Sequence, residues 1–301
     1  MRLFLSIGQP MTPSLLLVLS AFLLAFGTVL TKGLLSPDAT NLHPLSFLIA
    51  QLAGGLFVLF AFARITQQIL WTKSLMRLLL PGLFIGVGSI GTILALYFTT
   101  ASEASLIFAT RPAMVLLLAR VFLKEWITLA VAILVLVAVA GVISVVQVGG
   151  SEEVLNRGYG IGFAVFSTAS ASIYVVWMRH ATQLSSPVMA LITVQAIAFV
   201  VAFSAWAAWQ FPGYADTDFC SLVAASVTGA IHYGAAFLLY LYGLRHLEAS
   251  KAGIYLSLVP VFTITLALVI LDEVLTVQQF VGGVVVILAV ASVAWLSARG
   301  Q

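Results

Sequence analysis

The chain has 301 residues, of which 62% are hydrophobic and only 8% charged, with thirteen Lys and Arg against ten Asp and Glu for a net charge of +3. Soluble domains carry roughly 25% charged residues, so this inventory excludes a water-soluble surface. A mean hydropathy of +1.16 places the chain in the bilayer, and the scattered basic residues argue for membrane orientation and against nucleic-acid binding. Cys220 is the sole cysteine, which excludes an internal disulfide, a thiolate metal cluster and a CxxC redox pair.

Apolar runs between polar or Pro/Gly breaks predict helices over 14–35, 44–63, 78–101, 103–122, 126–147, 158–178, 187–210, 219–243, 252–271 and 277–298. The first run lacks an A-x-A site and is followed by further spans, so it reads as a retained helix and not as a cleaved signal. The longest connections, 64–77 and 149–157, leave no room for a soluble domain. With a cytoplasmic N-terminus, the inner side receives Arg2, Arg64, Lys73, Arg77, Arg120, Lys124, Arg179, Arg245, Lys251 and Arg299, and the outer side only Lys32 and Arg157. That bias requires an even number of spans, so both termini are expected in the cytoplasm and the bacterial inner membrane is the expected location.

Shifting the chain on itself by 148 residues aligns 101–128 with 249–276 and matches ten of 28 positions, among them Pro112 with Pro260 and Glu125 with Glu273. The expectation is an all-α polytopic protein of ten transmembrane helices in two five-helix repeats, 1–148 and 149–301. Five is odd, so the two copies enter the membrane from opposite sides, with Glu125 facing inward and Glu273 outward. Two near-equivalent states, one open to each side, are what alternating access requires.

The run Ala95-Leu96-Tyr97-Phe98-Thr99-Thr100-Ala101-Ser102-Glu103-Ala104-Ser105, then Arg111-Pro112, then Leu123-Lys124-Glu125-Trp126-Ile127-Thr128, resembles the EamA module of the drug/metabolite transporter superfamily. The second copy resembles it through Ala249-Ser250-Lys251-Ala252, Pro260 and Leu271-Asp272-Glu273. Phe26-Gly27-Thr28 followed by Lys32 is similar to the first-helix pattern of that family, with Phe26 in place of the more usual Trp. The resemblance covers essentially the whole chain and implies ten helices in two inverted repeats around a central cavity. It also implies export or exchange of amino acids, amines, carboxylates, nucleotide-sugar-like compounds or drugs without ATP hydrolysis. The chain has no G-x-x-x-x-G-K-[ST] motif, so no ATP motor and no cofactor are expected.

All ten acids fall at predicted span ends or in loops, leaving His232 as the titrating group within a span. Arg111 sits near mid-depth of its predicted span, where a guanidinium that stays protonated must meet water, backbone carbonyls or an anion. Two readings of it stand: a carboxylate or phosphate clamp in the cavity, or a structural Arg bonded to carbonyls freed by a nearby kink. Pro112 and Pro260, inside predicted helices, push against the carbonyls of Phe108 and Leu256 and are candidates for gating. Gln51, Tyr174, Gln195, His232, Tyr233 and Tyr255 lie within other spans and are expected to point into the bundle or cavity. Taken alone, each suits helix-to-helix hydrogen bonding; with Arg111 they form a candidate site for an amphipathic ligand.

Gly86-Val87-Gly88-Ser89-Ile90-Gly91 mimics a nucleotide loop or nucleophile elbow but lies in an apolar helix, where small residues serve packing. Trp126, Trp206 and Trp209 near span ends fit interfacial anchoring. The leading reading is a secondary carrier of a small polar or amphipathic metabolite, with that solute and the lipid bilayer as partners and a monomer or homodimer as the assembly. An intramembrane enzyme using Ser89 and His232, and a non-transporting membrane scaffold, are the alternatives; the first lacks a paired acid and the second a partner-binding domain.

Overall fold

A computed structural model describes residues 12–36, 39–40, 42–67, 75–122, 129–146, 154–181, 187–209, 218–244, 255 and 258–299. In chain order the elements are α1 Pro13–Leu34, α2 Pro44–Ile65, α3 Leu75–Phe98, α4 Ala101–Phe108, α5 Arg111–Phe122, α6 Leu129–Val146, α7 Val154–Ala181, α8 Pro187–Ala208 and α9 Phe219–Gly229. A π-helical segment, Ala230–Ala236, leads into α10 Phe237–Leu244, followed by α11 Leu258–Ile270 and α12 Val277–Arg299. Six of the described helices are long and apolar enough to cross a membrane, and shorter apolar helices accompany them. Glu125, Lys124, Trp126 and Leu256 lie outside the described residues, as does the inward face on which Glu125 was expected.

Local chemistry sets the helix starts. Pro13 and Pro44 occupy first helical positions, where the missing N–H costs nothing, behind the capping side chains of Thr12 and His43. Thr100 Oγ1 accepts from the Glu103 amide at 3.1 Å to start α4, and Asp218 Oδ2 accepts from the Ser221 amide at 3.4 Å to start α9. At the other end of α11, Asp272 takes a left-handed conformation at φ 52°. The Glu273 amide then returns to the Ala267 carbonyl at 3.3 Å, closing the helix with a tight reversal.

One predicted helix is broken. Where the apolar pattern gave a single span over 103–122, the structure has α4 ending at Phe108 and α5 beginning at Arg111, with Ala109 and Thr110 as the joint. Pro112 is the cause: it is the second residue of α5, where its lack of an N–H is harmless, and not an interior kink as the sequence implied. Thr110 satisfies the joint by donating its hydroxyl to the Ile107 carbonyl at 2.7 Å. Pro260 is likewise the third residue of α11 and is buried.

Helix pairing is reciprocal. The α3–α7 contact is matched by α1 against α9, the π segment and α10; α3–α8 is matched by α2 against α9 and the π segment; α5–α7 is matched by α1–α11. The α2–α8 and α6–α12 pairs also join the first half of the chain to the second. Small residues make the closest approaches possible. A Cβ on Gly54 would lie 1.9 Å from the Ser226 carbonyl oxygen, and one on Gly229 would lie 1.9 Å from that of Gln51, so α2 and α9 meet backbone to backbone. The Gly86–Gly91 stretch packs as expected: Gly86 against Ala198 and Val201 on α8, Gly91 against Phe166 on α7. Around these contacts Val29, Phe47, Leu48, Leu52, Ile93 and Leu96 form the largest apolar core.

Candidate functional site

The interior of the bundle holds a small, mainly apolar chamber with four polar side chains in its wall. Ser89 on α3, Tyr174 on α7, Gln195 on α8 and Tyr233 on the π segment line a cavity of about 10 Å³, with Leu52 and Phe237 among its apolar walls. That is room for about one water molecule. A larger hollow of about 530 Å³ lies outside the α11–α12 turn, lined by Val274, Val277, Phe280 and other mainly apolar side chains. Its half-buried carboxylate, Glu273, is spent on capping α4, so the smaller interior chamber is the better site despite its size.

Arg111 is the first residue of α5. Its Nε is buried with no hydrogen-bond partner, and Tyr240, Tyr174 and Tyr233 are the hydroxyl-bearing side chains in electrostatic reach of the guanidinium. Its carbonyl accepts from Ser172 Oγ of α7 at 3.4 Å. The break between α4 and α5 therefore delivers a cation to the interior at the start of a half-helix. Tyr240 was not singled out from the sequence; its position two turns beyond Tyr233 on the same span is the signal that would have found it.

Gln195 and Tyr233 belong together. Gln195 Nε2 donates to the Tyr233 carbonyl at 2.8 Å, while Gln195 Oε1 is buried without a partner. The Tyr233 side chain is hydrogen-bonded with Ser89. His232 points elsewhere: its Nδ1 is 3.2 Å from the Leu24 carbonyl on α1, and since a carbonyl only accepts, Nδ1 carries the proton. Gly27 makes that approach possible, because a Cβ there would stand 2.8 Å from His232 Cβ. Ser89 and His232 thus serve different partners, and the nucleophile–base pair an enzyme would need is not formed between them.

Two predicted site residues lie apart from this group. Gln51 Nε2 donates to Thr31 Oγ1 at 2.7 Å and to Thr228 Oγ1 at 2.9 Å, tying α1, α2 and α9 in the buried packing layer. Tyr255 donates its hydroxyl to Ser14 Oγ at 2.9 Å, which puts it at the end of the bundle where α1 begins. The side chain of Pro112 lies outside the described residues, and only its backbone position is assigned.

The opposite end of the bundle carries a polar network that sequence reading passed over. Glu103, only 4% exposed, forms an ion pair with Arg157 of α7, whose Nε donates to Glu103 Oε2 at 3.1 Å. Gln279 Nε2 of α12 donates to Glu103 Oε1 at 2.7 Å, and Thr99 Oγ1 donates to Oε2. Glu273 reaches across from the α11 reversal: its Oε1 accepts from the Ala101 amide at 2.7 Å, and its Oε2 from the Ser102 amide at 3.0 Å and the Ser102 hydroxyl at 2.6 Å. Lys32 Nζ adds a bond to the Leu96 carbonyl at 2.9 Å. Glu103 and Glu273 do sit at span ends, as their sequence positions implied, but both are engaged across the interface between the halves.

Long apolar helices, broken spans and an interior cation define an integral membrane protein of the transporter type. The profile of the EamA-like transporter family matches the chain twice, over residues 11–147 and 158–295, and the chain belongs to that family. It is similar to a protein of Archaeoglobus fulgidus described as an uncharacterized transporter, 25% identical over 231 residues that cover 74% of this chain and 79% of the relative. A solved crystal structure of 18% sequence identity superposes with a TM-score of 0.67, covering 95% of this chain and 99% of the other, which speaks for the fold alone.

Proposed function

We propose that the protein is a secondary carrier, not driven by ATP, that exports or exchanges a small polar or amphipathic metabolite such as an amino acid, amine or carboxylate by alternating access. The observation that carries this reading is Arg111: a cation whose Nε is buried in the bundle without a hydrogen-bond partner. Such a group is costly in a membrane interior and repays its cost when an anionic solute passes. Ten spans in two inverted halves, 1–148 and 149–301, fit the reciprocal helix pairing. The Lys/Arg bias supports an inner-membrane orientation with both termini in the cytoplasm.

In this reading the network of Glu103, Arg157, Gln279 and Glu273 closes the outer end, where Lys32 and Arg157 fall. The chamber is occluded from that side, and opening it requires these bonds to part. The test is vectorial flux: purified protein in sealed vesicles, preloaded with candidate amino acids, amines or carboxylates, is expected to exchange labelled solute without changing it chemically. Conversion of the solute with no movement across the membrane overturns the proposal.

A further inference from the structure

The α11–α12 turn sets two neighbouring carboxylates to different uses. At Asp272 the backbone is left-handed, with φ 52°, and Glu273 turns inward to the amides of Ala101 and Ser102 at the start of α4. Asp272 is exposed instead and lines the hollow of about 530 Å³ on the outside of the turn. That volume falls within the range of about 300–1,000 Å³ usual for ligand clefts.

Most of the remaining wall is hydrocarbon. Leu268 in the last turn of α11, Val274 in the connection, and Val277 and Phe280 at the start of α12 form it, and Val274 and Val277 are 89% and 82% exposed. Side chains this apolar and this bare, at the junction of two apolar helices of an integral membrane protein, face lipid. The turn between the helix ends lies where acyl chains give way to headgroups.

Charge then selects the headgroup. Among the described residues that line the hollow there is no Lys, Arg or His to meet Asp272. The basic side chains of this end of the bundle are turned to other groups, Lys32 Nζ to the Leu96 carbonyl at 2.9 Å and Arg157 to Glu103. Val277 is the first residue of α12, whose first turn carries no acid, so the helix dipole there favours a negative group. An exposed carboxylate next to a helix start is complementary to a zwitterion: an ammonium suits the first and a phosphate the second.

We propose that this hollow binds a phospholipid with a primary ammonium headgroup, phosphatidylethanolamine, its ammonium on Asp272, its phosphate toward the start of α12 and an acyl chain against Leu268, Val274 and Phe280. Phosphatidylglycerol has the same phosphate and chains but brings no cation to Asp272, so the site discriminates between the two. Because Glu273 directly follows Asp272, a lipid seated there braces the turn that caps α4. The site is on the outside of the bundle and stands or falls independently of the carrier reading.

The test is native mass spectrometry of the full-length protein released from nanodiscs that hold equal mole fractions of phosphatidylethanolamine and phosphatidylglycerol with matched chains. The wild type is expected to retain about fivefold more phosphatidylethanolamine than phosphatidylglycerol, the weight of one charge at a membrane surface. Asp272→Asn removes the charge but keeps a residue that tolerates the left-handed turn, and is expected to bring the ratio to about twofold or less. Val274→Trp fills the hollow with the carboxylate intact and is expected to do the same; it decides if Asp272→Asn does not fold. Equal retention of the two lipids by the wild type, or a ratio unchanged in either folded variant, overturns the proposal. A wild type released as a lipid-free pair of chains overturns it too, because a second copy then covers this face.

Discussion

Arg157 at the start of α7 donates to the carboxylate of Glu103 in α4, joining residues 54 positions apart, one inside the first family match and the other immediately before the second. The pair is not isolated, because Gln279 from α12 and Thr99, just after α3, share the same carboxylate. Such a network is broken as a unit when its central acid is neutralised.

Glu103→Gln is therefore expected to open this end of the bundle. A reporter cysteine at Ser105, 3% exposed and half a turn farther along α4, introduced with Cys220→Ser, reads the change. Its maleimide labelling rate in nanodiscs is expected to rise about tenfold or more, since removing one member of a buried ion pair costs a few kcal/mol. An unchanged rate would mean that the network does not hold the closed state.

Glu273→Ala removes the acceptor for two backbone amides and a hydroxyl at the start of α4. A loss of about 1–3 kcal/mol is expected, as for charged caps on a helix start. Thermal unfolding in nanodiscs measures it. Asp272→Ala should add to the effect by straining the left-handed turn that aims Glu273.

Arg111→Ala is expected to weaken binding of carboxylate ligands about tenfold or more and to leave neutral analogues within about twofold. The comparison uses the same titration for both ligand classes. Equal losses would assign Arg111 a structural role.

Gly229→Ala and Gly54→Ala each drive a Cβ to 1.9 Å from a facing carbonyl oxygen. Both are expected to cost about 3 kcal/mol or more and to abolish a monodisperse peak in fluorescence-detected size exclusion. Gly158→Ala and Gly162→Ala meet nothing within 4 Å and are expected to behave as wild type.

His43 gives a pH dependence outside the spans. Its Nδ1 accepts from the Leu45 amide at 3.3 Å to start α2, and burial holds the imidazole below its ordinary 6.5. The folded protein thus favours the neutral ring: this stabilisation is full above about pH 6.5 and is lost as pH falls through the lower folded value. His43→Asn, which keeps an N-cap acceptor, is expected to flatten the melting temperature between pH 5 and pH 7 on the order of that window.

Much of the fold was legible because hydrocarbon imposes length and polarity on every span, and the helix starts at Pro44, Pro187 and Phe219 follow from Pro and Asp signals in the sequence. The break at Ala109–Thr110 was not, because Pro112 reads the same whether it kinks a helix interior or begins a new helix. The polar residues of the spans were legible as inward-facing but not as a set. Gln51 and Gln195 look alike in sequence, yet Thr31 and Thr228 satisfy the first while the second keeps a bare oxygen. That difference depends on threonines from remote helices, which no local pattern pairs with a given glutamine. The Glu103–Arg157–Gln279 network was hidden for the same reason: each residue alone reads as an ordinary span end.

The π-helical stretch occurs in the span made of α9 and α10, whereas its counterpart in the first half, α3, is regular α-helix from Leu75 to Phe98. Perfectly matched halves would make the inward-open and outward-open forms equal in energy. An odd winding in one half alone removes that degeneracy. Under the carrier cycle proposed above, the molecule then has a default posture, and a gradient or bound solute supplies the difference each time it turns over.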